Sequence, residues 1–503
     1  MVNIAELFPQ PLVLNGICHS MGGVLDFKGI KSKGFVNGAW IDAASGKTFA
    51  VTNPATGEKI TDVADLSIKE ATQAIDAAEK AFAVWNGLLP LERAKIMNAW
   101  SALIEKHADD LARLMTTEQG KPLTEAKGEV LGAAGTIHWC AEQGRRLYGD
   151  FLEGPRPGTK IIISRHAVGV VGAITPWNFP VSMITRKVGP ALAAGCTVVL
   201  KPAEDTPLCA LALAGLAKEA GVPDGVFNVI PTSDAKPIGK LITEDVRVKK
   251  ISFTGSTEVG KILMSQAAHH VQKVSLELGG NAPFIVLPSA DLEKAATGAI
   301  ASKFRNAGQT CICANRIFVH KDVYDQFFDL FLNKIKLLKV GNGLDDGVAI
   351  GPLINMEAIE KIEKMIAEAN KAGATIHIGG KRHALGLTFF EPTLMSGVPD
   401  DLSISCQEIF GPVAVLYPFE TEEEVIRRAN STPYGLAGYL YGTDMESIWR
   451  VSDGLQYGMV GINEPLLATD LAPFGGVKES GIGSEGGEYG LLEYTNLKYR
   501  LLA

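Results

Sequence analysis

The chain has 503 residues, 46% of them hydrophobic and 21% charged, with a formal net charge of −8. That length exceeds one ordinary domain, and fractions so close to globular averages exclude disorder, collagen or coiled coil for the bulk of it. An evenly acidic chain is a poor binder of nucleic acid or anionic membrane, and seven cysteines at this length point to a reducing, cytoplasmic setting without a disulfide framework.

In chain order, residues 1–27 hold no Lys or Arg and carry Glu6 and Asp26. They read neither as a secretory signal nor as a transit peptide, and residues 1–30 are expected to be an N-terminal extension. No apolar run approaches the roughly 18 residues of a membrane span. Residues 35–53 alternate and contain Gly38 and Gly46, so they read as short strands and turns. Ser67-Ile-Lys-Glu70 is a capping box, followed by Ala71, Ile75, Ala78 and Phe82 at helical spacing. The helical pattern continues through 91–115 and 123–144.

The texture changes near Ile161. Residues 168–175, 197–201, 227–230 and 250–254 are short β-branched runs, and an Ala/Leu helix over 207–220 closes at Gly221. Such alternation implies βαβ units and a parallel sheet, whose ligands bind beyond the carboxyl ends of the strands. Three strand ends carry polar punctuation: Thr175-Pro-Trp-Asn-Phe-Pro180, Lys201-Pro-Ala-Glu204 and Thr254-Gly-Ser-Thr-Glu-Val-Gly260. A second α/β texture follows, with strands at 284–287, 317–319, 413–417 and 459–462 and helices at 323–338 and 356–372. Residues 493–501 read as a terminal strand.

Gly481-Ile-Gly-Ser-Glu-Gly486 fits G-x-G-x-x-G, but too little chain follows it for a βαβ unit, so it reads as a turn. Two segments suggest chemistry. Cys311 and Cys313 sit in Gly308-Gln-Thr-Cys-Ile-Cys313, and either could be a nucleophile or a packed thiol. No second Cys pair or histidine follows at zinc spacing, so no metal is expected. Glu277 lies between two leucines at the end of a β-like run; it is either a carboxyl with a raised pKa, suited to act as a base, or a residue on the solvated side of an edge strand.

Together with Pro176-Trp-Asn-Phe-Pro180, Lys201-Pro-Ala-Glu204, Phe253-Thr-Gly-Ser256, Leu276-Glu-Leu-Gly-Gly280, Glu408-Ile-Phe-Gly-Pro412 and Pro473-Phe-Gly-Gly-Val-Lys478, these segments resemble the aldehyde dehydrogenase superfamily over roughly residues 35–500. The runs 184–196 and 302–306 and the Cys311-Ile-Cys313 pair are most similar to its succinate-semialdehyde branch. The resemblance implies an α/β fold with a Rossmann-type NAD-binding domain at 31–148 and 168–279 and a catalytic domain at 280–480. It also implies a small β oligomerisation segment from 149–167 and 487–503, in a homodimer or homotetramer. Cys311 would be the nucleophile, Asn178 the oxyanion donor and Glu277 the base. Thr175, Pro176, Trp177, Lys201, Glu204, Gly255, Ser256, Gly260, Glu408 and Phe410 would hold the cofactor. Glu204 beside the ribose hydroxyls would favour NAD over NADP. Arg186, Arg305 and Thr469 would bind a short ω-carboxy aldehyde, with succinate semialdehyde foremost and glutarate semialdehyde or a broader range as alternatives. Ala468, Pro465 and Ser484 depart from the usual pattern around that pocket. Cys313 is a candidate redox switch, because oxidation would join it to Cys311 in a small ring.

Overall fold

The β-branched runs build two sheets, and the order of their strands sets where ligands can enter. The computed structural model describes residues 32–503, so the expected N-terminal extension lies outside the described residues. The first sheet has eight strands, in the order Gly481–Ile482, Lys273–Glu277, Val248–Thr254, Val170–Ile174, Thr197–Lys201, Phe227–Val229, Gly34–Val36 and Ala39–Ile41. Its central five are parallel. Along the sheet they are fifth, fourth, first, second and third in the chain, so the direction of winding reverses between Val170–Ile174 and Val248–Thr254. That reversal opens a crevice at the carboxyl ends of these two strands.

Burial explains why these strands read as unbroken apolar runs. Val198 and Leu200 enter one core cluster and Val199 the other, so both faces of Thr197–Lys201 are covered. Helix Ile68–Gly87, started by the Ser67/Glu70 capping box, covers one face, and helix Ser182–Ala194 packs near the same strand.

The second sheet runs Thr375–Ile378, Thr393–Ser396, Val413–Phe419, Ala314–His320, Ala282–Val286, Ala437–Tyr441 and Met459–Ile462. Only its first pairing is antiparallel. A third, antiparallel sheet joins Thr495–Leu502 to Lys160–Ala167 and Asp150–Glu153. It leaves Phe151, Leu152, Leu497 and Tyr499 exposed.

Three differences from the sequence reading have local causes. The pattern over 91–115 is two helices, Pro90–Lys106 and Ala108–Gln119, because His107 leaves helical dihedrals at φ −101° and ψ 22°. Helix Ser182–Ala194 is absent from the sequence reading and holds Pro190 inside it. The glycine-rich stretch at 481–486 begins as an edge strand, Gly481–Ile482, paired antiparallel to Leu276 and Glu277 before it turns at Gly483.

Candidate active site

The crevice deepens into a cavity of about 840 Å³ between the two large sheets. Pro176, Trp177 and Asn178 reach it from the end of Val170–Ile174, and Gly255 and Ser256 from the end of Val248–Thr254. Ser256 caps helix Thr257–Ala267, its Oγ accepting the Val259 N–H at 3.4 Å. A helix N-terminus aimed into a crevice suits a phosphate. From the second sheet's side come Cys311, Glu408 and Phe410. The Phe410 ring meets Trp177 edge-on, with centroids 5.4 Å apart.

Cys311 is presented by a strained turn. Asn306, Ala307 and Gly308 are all left-handed, with φ of 51°, 55° and 75°. Such a conformation costs a non-glycine residue about 1–2 kcal/mol, so it persists only where neighbours fix it. Here they do. Gln119 Nε2 donates to Asn306 Oδ1 at 3.0 Å, and Asn306 Nδ2 donates to the Asn178 carbonyl at 3.0 Å. Gln309 Oε1 accepts the Ile354 N–H at 3.0 Å. Gly308 is required for space as well as φ, because a Cβ there would sit 2.2 Å from the Gly411 carbonyl.

The Asn178 side chain is held across the same turn, Nδ2 donating to the Gln309 carbonyl at 3.1 Å, while its Oδ1 has no partner. Its backbone is anchored by Lys121, a fully buried lysine absent from the sequence reading. Lys121 Nζ donates to the Asn178 carbonyl at 2.8 Å and to Glu129 at 2.5 Å, over the Phe179 ring. The other Glu129 oxygen accepts the Val181 and Ser182 N–H groups, both at 3.0 Å. The signal available in the sequence was the pair Glu125 and Glu129, four residues apart on one helix face behind Lys121-Pro122.

Burial dominates the titration of the site. The Cys311 thiol is pushed up to about 12 by burial and then by Glu408 and Glu277, against Arg305 and Arg186. Glu277 is held well above the usual carboxylate range by burial and by Glu485. Neither of its oxygens has a hydrogen-bond partner, and it does not line the cavity itself. Glu408 rises to about 7 by burial, while the Gly280 N–H at 3.1 Å opposes that rise.

Arg186, Arg305 and Thr469 all line the cavity. Arg186 lies 5.0 Å from the Phe474 ring centroid with Nη1 unpartnered, and Arg305 lies 5.3 Å from that of Phe179. The buried ion pairs nearby are Lys121–Glu129 and Lys187–Glu485. Among the described residues neither arginine joins an ion pair. Thr175, Lys201, Glu204, Gly260 and Cys313 do not line the cavity. Cys313 Sγ is buried and accepts from Lys303 Nζ at 3.3 Å.

With this geometry in view, the comparisons are direct. Residues 40–499 match the aldehyde dehydrogenase family. The NADP(+)-dependent succinate-semialdehyde dehydrogenase of Escherichia coli is 52% identical over 469 residues, 93% of this chain and 97% of that protein. A glutarate-semialdehyde dehydrogenase of Pseudomonas aeruginosa is 51% identical over 95% of this chain and 99% of that protein. The crystal structure of succinate-semialdehyde dehydrogenase from Burkholderia pseudomallei, 51% identical, superposes with a TM-score of 0.94 over 96% of this chain and 100% of that one.

These relatives overturn one expectation. Glu204 was read as favouring NAD, yet the Escherichia coli relative is named for NADP(+). The structure supplies the physical reason the argument failed. Glu204 is not a lone carboxylate. Its side chain is 45% exposed, and Lys201 Nζ neutralises it at 2.7 Å. With the family matched over 460 of its residues, positions 40–499, and relatives half identical along nearly its whole length, this chain belongs to the aldehyde dehydrogenase family and is an oxidoreductase acting on aldehydes.

Proposed function

We propose that the enzyme oxidises a short ω-carboxy aldehyde, foremost succinate semialdehyde, to the dicarboxylate while reducing a nicotinamide dinucleotide. The observation that carries this reading is that Arg186 and Arg305 open on the same cavity as Cys311 and, among the described residues, join no ion pair. Two free guanidinium groups suit a distal carboxylate. The names of the Escherichia coli and Burkholderia relatives support the same substrate.

The residues present fit the dinucleotide. Gly255 and Ser256 would hold its pyrophosphate at the helix N-terminus, with Gly260 keeping that helix close to Leu278. Glu408, Phe410, Trp177, Pro176 and Thr175 would hold the nicotinamide end, and Lys201 and Glu204 the adenosine ribose. With NADP(+), named for the Escherichia coli relative, Lys201 is the cation available to a 2′-phosphate.

When bound, the nicotinamide supplies the hydride acceptor. Cys311, as the thiolate left when its proton passes to water, adds through Sγ to the aldehyde carbon, the Asn178 amide with the Cys311 N–H holds the resulting oxyanion, and loss of the hydride leaves a thioester on Cys311. Glu277, with no hydrogen bond to restrain its carboxyl, turns to take a proton from the water that hydrolyses the thioester. Thr469, at the cavity wall, completes the substrate pocket beside Ala468. A peroxide would take two electrons and both thiol protons from Cys311 and Cys313, leaving water and a bond between the two sulfurs, with Lys303 released. Oxidised Cys313→Ala protein should then keep its activity where the wild type loses it reversibly.

We also assign the domain division given by the resemblance, residence in the cytoplasm, and pairing as a homodimer or homotetramer through the third sheet's exposed apolar residues. The substrate is tested by NAD(P)H formation with succinate semialdehyde against butanal. A preference above about 100-fold, worth about 2.7 kcal/mol, supports the two-arginine pocket, and equal rates reject it. A second reading, glutarate semialdehyde, is favoured by Ala468, which offers the cavity a methyl group and no hydrogen bond. One extra methylene changes selectivity by only about 1–3 kcal/mol.

A further inference from the structure

One carboxyl group in the cavity has no part in these steps. Glu125, in the first turn of helix Leu123–Gly144, lines the same wall as Arg305 and Cys311. Its Oε2 accepts the Asn306 N–H at 2.9 Å, which fixes it beneath the turn that carries Arg305. It lies within electrostatic range of Arg305 without forming an ion pair to it. The side chain is therefore a tethered carboxyl beside one of the two cations offered to the substrate.

The charges around it come from three directions. Lys121 precedes its helix and is already committed to Glu129, one turn further on. Arg305 lies on the cysteine turn. Arg186 and Asp470 line the same cavity, and Asp470 is held by Thr136 Oγ1 at 2.6 Å.

We propose that Glu125 is a specificity-determining residue which, when ionised, competes with the substrate's distal carboxylate for Arg305 and weakens the hold on anionic ligands as pH rises. Burial holds its carboxyl at about 7 despite the opposing pull of Lys121 and Arg305. A raised pKa means that the neutral form prevails below that value and the anion above it. The competition therefore switches on across the neutral range. An uncharged aldehyde does not feel it, whereas a dicarboxylate product does, so the same residue favours product release.

This inference rests on the ω-carboxy substrate reading. The test uses the full chain, Glu125→Gln, which keeps an oxygen for the Asn306 N–H, and Glu125→Asp, which keeps the charge. The readout is the ratio of KM for succinate semialdehyde to KM for butanal from pH 6 to 8.5, together with inhibition by succinate when butanal is the substrate. In the wild type the KM ratio and the succinate inhibition constant should each rise about 3- to 10-fold over that range. Both should be flat in Glu125→Gln, and the slope should return in Glu125→Asp. Equal slopes in wild type and Glu125→Gln overturn the proposal, as does a change in Glu125→Gln that is the same for both aldehydes. A wild type that does not prefer succinate semialdehyde rejects the substrate reading instead, and the succinate slopes then decide on Glu125 alone.

Discussion

Replacing Arg186 by Met separates a substrate-binding arginine from a structural one, because the two roles predict different effects on stability. Arg186 is 8% exposed, its Nη1 has no partner, and no carboxylate bridges it. A buried donor left unpaired costs about 1–3 kcal/mol. The stacking on Phe474, which is itself buried, returns about 2 kcal/mol. Met fills similar volume without the charge, so Arg186→Met should leave the stability of the empty enzyme unchanged to within about 1 kcal/mol, read as the urea midpoint. Activity should fall instead. A charge-assisted hydrogen bond to the distal carboxylate is worth about 1.5–3 kcal/mol. At about 1.36 kcal/mol per tenfold, that is a loss of about 10- to 150-fold in kcat/KM for succinate semialdehyde. Butanal should lose less than about threefold, since it makes no such bond. Breaking a structural buried ion pair would instead destabilise by about 3–5 kcal/mol. Destabilisation of that size, with equal losses on both aldehydes, would refute the assignment.

Four further outcomes follow from named residues. Glu277 is held above the usual carboxylate range, so it is neutral at low pH and its basic form grows as pH rises; steady-state turnover should climb toward alkaline pH. Glu277→Gln should lose about 10²–10⁴-fold in that turnover while keeping a stoichiometric burst of reduced cofactor, measured by stopped-flow absorbance. Glu204→Gln frees Lys201 from its ion pair and should lower KM for NADP(+), measured by initial rates; an unchanged or higher KM would mean that Lys201 does not meet the cofactor. Val271 is 89% exposed with φ 51°, a conformation costly to a β-branched residue. Val271→Gly should raise unfolding stability by about 0.5–1 kcal/mol in urea titration, and a loss would contradict the strain.

What the sequence revealed of this site, and what it hid, follow from the range of the interactions. The ends of Val170–Ile174 and Val248–Thr254 were legible because β-branched runs broken by polar residues are a local pattern, and the reversal of winding then places Asn178 and Ser256 at one crevice. The cysteine turn was legible for the same reason, through Gly308. Lys121 was not. Its partners are Glu129, eight residues away, and the carbonyl of Asn178, 57 residues away. In sequence alone it is one more lysine, and most lysines are solvated. Glu125 was hidden likewise, since its bond to Asn306 spans 181 residues.

Glu204 failed for a subtler reason. Its position was read, but its charge was counted alone, although Lys201 stands only three residues before it and cancels it. Pro190 is a local break that the fold overrides. It removes one hydrogen bond from helix Ser182–Ala194, yet every residue from Ile184 to Ala194 is buried, and tertiary packing of that face outweighs the local break. That helix carries both Arg186, which faces the cavity, and Lys187, which bonds Thr254 at 2.6 Å and the buried Glu485. Two adjacent cations on one helix are thus treated differently, one joining no ion pair at the cavity and the other neutralised where it supports the strand end. The difference between them is the clearest sign that Arg186 is kept for a ligand, because the same helix shows how this fold pairs a buried cation when the role is structural.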